Sequence, residues 1–343
     1  MPCWTSSRES CGRKILSEPG EFELIARYFA PLATHPGADG LRDDAALLLA
    51  SEFKQGLVVT TDASIAGVHF LPDEQARVIA QRCLRVNLSD LAAKGARPVG
   101  YLVSLSLPPH LTEEWVAGFA DGLSENQQQF GWSLLGGDTV RTSGPLTVSV
   151  TAFGQAAGDG VPRRSGATPG DDLWVSGTIG DGFIGLRLAM GEFSDIPPSA
   201  AREAETHFRC PEPRVDLGAR LAGAGLVKAS ADVSDGLVAD AGNIAAASGC
   251  GAAIEAALIP LSAAGRYLSG IDPAIIARLA TGGDDYEIVF TAEPRAQEEI
   301  QRRAAAAGVE VTRIGRMEAG QGVRLLDGQG RTIPLSTPGF VHR

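Results

Sequence analysis

The sequence predicts a two-domain protein of mixed α/β (α+β) class, and three observations carry that expectation. Segments patterned as strands and as helices alternate through both halves of the chain, which implies helices layered on sheets. The 343 residues are enough for two domains, and 44% hydrophobic with 21% charged residues is the composition of a chain that buries a core. A stretch rich in Gly, Pro and charge, AAGDGVPRRSGATPGD, lies near residues 156–170 and marks a boundary. The expected division is a poorly ordered tail over 1–19, an N-terminal domain over 20–157 and a C-terminal domain over 158–343.

The elements follow in order. GEFELIARYFAPL places Phe22, Ile25, Ala26 and Phe29 at helical spacing. HPGADGLRDD is a Gly-rich loop, and AALLLA and GLVVTTD read as strands ending in polar loops. Residues 74–94, EQARVIAQRCLRVNLSDLAAK, read as a long helix. VGYLVSLSLPP is a strand stopped by Pro108 and Pro109. TEEWVAGFADGLSENQQQF is a helix with Thr112 as its N-cap, and WSLLGGDTV and LTVSVTAFGQ are strands around an Asp-bearing turn. Beyond the boundary come a strand DLWVSGTIG, a helix from Gly182, a polar connection near 192–213 and a helix RVDLGARLAGAG. ADVSDGLVAD follows, then a helix LVADAGNIAAAS, a strand DYEIVFTA, a helix AQEEIQRRAAAAG and closing strands VEVTRIGRM and GVRLLD.

Bulk properties narrow the function. A formal net charge of −11 lacks the basic footprint of a nucleic-acid binder and disfavours an anionic membrane surface. An anionic substrate would need metal ions to hold it. Cys3, Cys11, Cys83, Cys210 and Cys250 are odd in number and widely spaced, with no CxxC pair, so they read as reduced thiols of a cytoplasmic protein. No run of eighteen apolar residues suggests a membrane span, and the charged first nineteen residues lack the apolar core of a signal peptide.

The chemistry lies in the aspartates. ADVSDGLVAD puts three of them into ten residues of a mostly apolar stretch, where unpaired carboxylates are costly. Asp43 and Asp44, Asp62, Asp138, Asp232 and Asp235, and Asp284 and Asp285 sit in loops after apolar runs. In an open α/β sheet such loops form the ligand crevice. Any one of them alone is more simply a turn or cap residue. Asp90 differs: Ile79, Cys83, Val86 and Asp90 fall on one helical stripe, so this carboxylate either pairs with a buried base or faces an ion site. Carboxylates grouped without His or Cys suit a hard cation with oxygen ligands, Mg²⁺ first. There is no GxxxxGK[ST] loop and no GxGxxG after a strand. GTIGDGFIG could take a phosphate on its amides, though a plain strand–turn–helix connection is the simpler reading. Asp240 and Asn243 read as capping or solvent-facing residues.

At GEFELIARYF, TTDASIAGVHFLP, VNLSDLAAKGARP, LLGGDT, RRSGATPGD, DVSDGL and GGDDYE the chain resembles the thiamine-monophosphate kinase family, within the aminoimidazole ribonucleotide synthetase-like superfamily. The resemblance implies a two-domain fold, an N-terminal sheet forming a homodimer interface, and Mg²⁺-dependent phosphoryl transfer from ATP to thiamine monophosphate. By matched position it implies Asp44, Thr60, Thr61, Asp62, Asp90, Asp138, Asp232 and Asp235 for the Mg²⁺ sites. It implies Gly137, Asp138, Arg164 and Ser234 for ATP, and His69 and Asp284 for the thiamine phosphate. No protein nucleophile is implied. The sequence departs from the family pattern at Arg42 in GLRDD, at Asp284 where some members carry Glu, and at Thr337 where some carry an aromatic residue, with Phe340 nearby. The alternatives are another ATP-dependent enzyme of the superfamily, or a non-catalytic protein that binds nucleotide or divalent ions.

Overall fold

The computed structural model describes residues 21–42, 45–158 and 160–339. The expected tail, Asp43, Asp44 and Phe340 lie outside the described residues. Two sheets organise the chain. The first contains β1 (Leu57–Ile65), β2 (Ala96–Leu107), β3 (Ser133–Arg141) and β4 (Thr147–Ala156) in the order β1-β4-β2-β3. β4 pairs antiparallel with both β1 and β2, and β2 runs parallel to β3. Before it lie a single helical turn α1 (Glu21–Leu24), a π-turn (Ile25–Phe29) and a 3-10 turn (Ala30–Leu32), in place of one regular amphipathic helix. AALLLA is not a strand: Ala45–Leu49 is irregular, with Leu47 and Leu49 exposed. A short apolar run cannot specify a strand without a neighbour to pair with.

The helices α2 (Ala76–Ala93) and α3 (Glu113–Phe130) cover one face of this sheet. The Thr112 hydroxyl accepts the Trp115 N–H, as an N-cap should. Strand alternation sends Val58, Thr60, Asp62 and Ser64 of β1 toward the helices and Leu57, Val59, Thr61 and Ala63 to the opposite face. α2 is buried on nearly every side, which explains how it carries Gln81, Arg82, Arg85 and Ser89 among its apolar residues: one flank meets the first sheet and the other meets the C-terminal half.

The second sheet orders β5 (Asp172–Ser176), β6 (Ala229–Asp232), β7 (Gly251–Glu255), β8 (Ile288–Ala292), β9 (Val311–Glu318) and β10 (Gly322–Leu326) as β10-β7-β9-β5-β8-β6. Around it pack α4 (Asp181–Ala189), α5 (Pro198–Arg209), α6 (Val215–Ala222), α7 (Leu237–Ser248), α8 (Ala263–Ile271), α9 (Ile275–Thr281) and α10 (Gln297–Ala306). The expected polar connection near 192–213 contains α5, whose Ala200, Ala204 and Phe208 recur every four residues and are buried. β7, α8 and α9 also go beyond the sequence reading. Among the described residues no helix is long and apolar enough to cross a membrane, and Cys83, Cys210 and Cys250 are free thiols.

Candidate active site

The two halves meet at α2. Asp90 ends one flank of this helix and is half-buried, and Thr60 on β1 donates its hydroxyl to Asp90 Oδ2 at 2.5 Å. Asp62 lies two residues along the same strand face. Burial and the charge of Asp90 push its carboxyl up to about 6. Asp232, the last residue of β6, is buried and accepts the Ser89 hydroxyl at 3.0 Å. Its pKa is raised well above the ordinary carboxylate range, by burial first and then by the charges of Asp90 and Asp240, against the Ser89 hydrogen bond. Strand β1, helix α2 and strand β6 thus bring Asp62, Asp90 and Asp232 into one electrostatic field.

The cations nearby do not neutralise it. Lys94, one turn past Asp90, donates to the Ser230 carbonyl at 2.7 Å, and burial lowers its pKa while Asp232 opposes that shift. It lies four residues after Asp90 on the same helical stripe and is partly buried. Arg164 is exposed beside β6: the Arg163 carbonyl accepts the Ser230 N–H, and the Arg164 charge reaches both Lys94 and Asp240. Among the described residues no three acidic, His or Cys side chains converge into a ready-made metal cage. That suits Mg²⁺, which takes one or two carboxylates and completes its shell with water and substrate phosphates. The donor set is all oxygen, and the raised pKa values of Asp62 and Asp232 are what a bound cation would relieve.

Asp235 and Ser234 form the turn after β6. Asp240, set aside as a capping or solvent-facing residue, does cap: its Oδ2 accepts the N–H groups of Asp235 and Gly236 at 3.1 and 3.2 Å. It is not solvent-facing. It is 1% exposed, and burial and the Asp235 charge push its carboxyl up to about 7. The Ser234 carbonyl accepts the Asp284 N–H and the Val233 carbonyl accepts the Tyr286 N–H, both at 2.8 Å, so the DVSDGL and GGDDYE loops are zipped together.

Within GGDDYE the two aspartates diverge. Asp284 adopts φ +65°, a conformation that costs a non-Gly residue energy and clusters at functional sites. Its carboxylate pairs with Arg82 of α2 at 2.8 and 2.9 Å. Asp285 turns the other way and accepts the N–H groups of Gly180 and Gly182, so the amides of GTIGDGFIG hold a buried carboxylate of the chain itself. His69 Nδ1 accepts the Ile65 N–H at 3.0 Å, which orients the ring at the end of β1. Arg82 and Ser89 went unread in the sequence. Their only signal was polarity inside a helix with no polar face.

Not every expected site residue joins this cluster. Thr61 points to the opposite face of β1, where its hydroxyl donates to the Val150 carbonyl at 3.0 Å. Asp138 shares that face: it is in register with Ser104, which pairs with Ser149. Gly137 and Asp138 line a cleft of about 820 Å³ between the sheet and Ile25, Phe29, Leu41 and residues 45–48. Gly137 cannot be replaced without moving the sheet, since a Cβ there would lie 1.9 Å from the Val103 carbonyl oxygen. Thr337 is exposed, and two residues later Gly339 packs against Ala239 and the backbone of Asp235.

Residues 42–156 match the family described as AIR synthase related protein, N-terminal domain, and residues 168–328 match its C-terminal domain. The thiamine-monophosphate kinase of Caulobacter vibrioides is 45% identical over 328 residues, covering 94% of this chain and 91% of that protein. The crystal structure of the Stenotrophomonas maltophilia K279a thiamine-monophosphate kinase superposes with a TM-score of 0.76 at 41% identity, covering 85% of this chain and 91% of that one. A structure of AaThiL complexed with AMPPCP and TMP superposes with a TM-score of 0.71 at 30% identity, covering 92% of this chain and 96% of that one. The chain therefore belongs to the thiamine-monophosphate kinase family of AIR synthase related proteins.

Proposed function

We propose that this protein transfers the γ-phosphoryl group of ATP to the phosphate of thiamine monophosphate, giving thiamine diphosphate and ADP. The observation that carries this reading is that Thr60 holds Asp90 and Ser89 holds Asp232 where the two halves join, with Asp62 within their electrostatic influence, in a chain 45% identical to a thiamine-monophosphate kinase. The acceptor is a phosphate monoester with a second pKa of about 6, so it is already nucleophilic at neutral pH and needs no protein base. One of its oxygens attacks the γ-phosphorus. The bond from that phosphorus to the β–γ bridging oxygen breaks, and ADP leaves with the electron pair.

The work left to the chain is positioning two polyanions. When bound, Mg²⁺ supplies neutralisation of the phosphate oxygens. Asp62, Asp90, Asp232 and Asp235, with Thr60, would hold ions on the inner side of β1, and matched position adds Asp44 together with Thr61 and Asp138, which stand on the outward face of the sheet. Thr60 fixes Asp90 through a hydroxyl donor and Ser89 fixes Asp232, which leaves the remaining carboxylate lone pairs for the cation. Gly137, Asp138, Arg164 and Ser234 are assigned to ATP, and His69, Asp284 and Thr337 to thiamine monophosphate. We place the domain division at 157/158 and assign a homodimer to the outward face of the first sheet, where Leu57, Val59 and Val140 are exposed.

The test is direct. Purified protein is incubated with ATP and thiamine monophosphate, with and without Mg²⁺, and thiamine diphosphate is read by chromatography. Mg²⁺-dependent product is expected. Nucleotide binding without product would move the assignment to a sister activity or a non-catalytic role.

A further inference from the structure

We infer that Arg82 is a positioning residue for the thiamine-phosphate pocket, setting the Asp284 carboxylate and the His69 segment as one unit; this rests on the function proposed above. Arg82 is 4% exposed and its guanidinium reaches three separate segments. Nε donates to the His69 carbonyl at 2.9 Å, in the loop after β1. Nη1 donates to the Phe208 carbonyl at the end of α5. Nη2 donates to both Asp284 oxygens. The guanidinium carbon also lies 4.8 Å from the Phe208 ring centroid and 5.8 Å from that of Tyr286, so the plane is held on its faces as well as its edge.

This geometry is specific to arginine. Burial is the largest influence and works against the charge, but the charge of Asp284, its hydrogen bond and Tyr286 together outweigh it, keeping Arg82 a firmly held cation. A lysine ammonium is a compact point charge and cannot span acceptors on three segments in one plane. The unusual backbone at Asp284 fits the same account. With φ +65° at Asp284, this carboxylate faces Arg82 while the next one faces the amides of Gly180 and Gly182. Arg82 therefore links the N-terminal helix α2 to His69 and Asp284, two of the three residues assigned to thiamine monophosphate, and touches none of the residues assigned to ATP.

The experiment measures KM for each substrate, kcat and thermal midpoint on full-length Arg82→Lys, Asp284→Asn and the double variant, with calorimetric binding of thiamine monophosphate alone. Arg82→Lys keeps the charge, so it tests geometry without leaving the half-buried Asp284 carboxylate without a cation. The expected result is a KM for thiamine monophosphate raised about tenfold or more, the size expected from losing a charge-assisted hydrogen bond. KM for ATP should stay within about twofold. The double variant should be no worse than the weaker single variant, because both changes break the same unit. Equal rises in both KM values, fully additive effects, or wild-type KM values in Arg82→Lys would each overturn the inference while leaving the kinase reading intact. Wild-type protein that neither binds nor converts thiamine monophosphate would overturn both.

Discussion

Ser89 donates its hydroxyl to Asp232 Oδ2 at 3.0 Å, joining helix α2 of the N-terminal half to strand β6 of the C-terminal half. The hydrogen bond favours the ionised form of Asp232 while burial and Asp90 disfavour it. One hydroxyl therefore helps set how readily that carboxylate releases its proton to water when a cation takes its place.

Ser89→Ala removes this donor and should raise the Asp232 pKa further. More proton must then be displaced at neutral pH, so the Mg²⁺ concentration for half-maximal turnover should rise, by up to about tenfold for one further pKa unit. The gap should narrow at pH 9. Mg²⁺ titrations at pH 7 and pH 9 decide the matter, and an equal penalty at both would refute the protonation route.

Asp90→Asn separates chemistry from folding. Asn keeps the shape and an oxygen that can accept from Thr60, but it loses the charge that raises Asp62 and Asp232. Turnover should fall by about 100-fold or more, on the scale of removing a group that organises transition-state charge. The thermal midpoint should stay level or rise, because like-charge repulsion is relieved. An active enzyme, or one that unfolds, would undo the assignment.

These residues show what the sequence could and could not disclose. Asp62, Asp90 and Asp232 were legible because carboxylates in apolar stretches need a reason. The helical stripe of Asp90 was also legible, and Lys94, four residues on, falls on it and was overlooked; only its contact with the Ser230 carbonyl of a distant strand lay beyond the sequence. Arg82 and Ser89 act across the two halves, and periodicity within one helix says nothing of a partner about two hundred or one hundred forty residues away. The same limit hid α5, read as a polar link because only three of its residues are buried. It also let AALLLA read as a strand, since apolarity alone does not supply a pairing edge. Thr60 and Thr61 were grouped by matched position, and the strand turns their side chains to opposite faces.

The raised carboxylates also fix the pH dependence of stability. Asp62 at about 6 and Asp240 at about 7 bind protons more tightly in the folded chain than in the unfolded one. Their stabilising contribution is complete below about pH 4 and is lost as pH rises through 6 and 7. Asp327 and Glu299 are shifted downward, with Glu299 at about 2, so they titrate below this window. In chelator the thermal midpoint should therefore fall between pH 5 and pH 8. Excess Mg²⁺ should flatten that slope, because a ligand of the deprotonated site stabilises most where protons bind least. Calorimetry across that range, with and without Mg²⁺, would expose a wrong sign at once.

The proposed dimer can be tested on β1 at a residue with no assigned role, on the face that also carries Thr61 and Asp138. Val59 is 52% exposed on the outward face, in register with Phe153, while Thr60 and Asp62 point inward to α2. Leu57 on β1 and Val140 on β3 also stand exposed on this face. Val59→Asp places a carboxylate on an apolar surface, and in a symmetric pair each copy would meet the other's charge or lose its contact. Sedimentation velocity at micromolar concentration should show a dimer for the wild type and a monomer for Val59→Asp, with an unchanged thermal transition in dilute protein if the fold is intact. A Val59→Asp dimer would exclude this face. It would direct attention to the C-terminal half, where Met190 and Ile271 are large apolar side chains left in water.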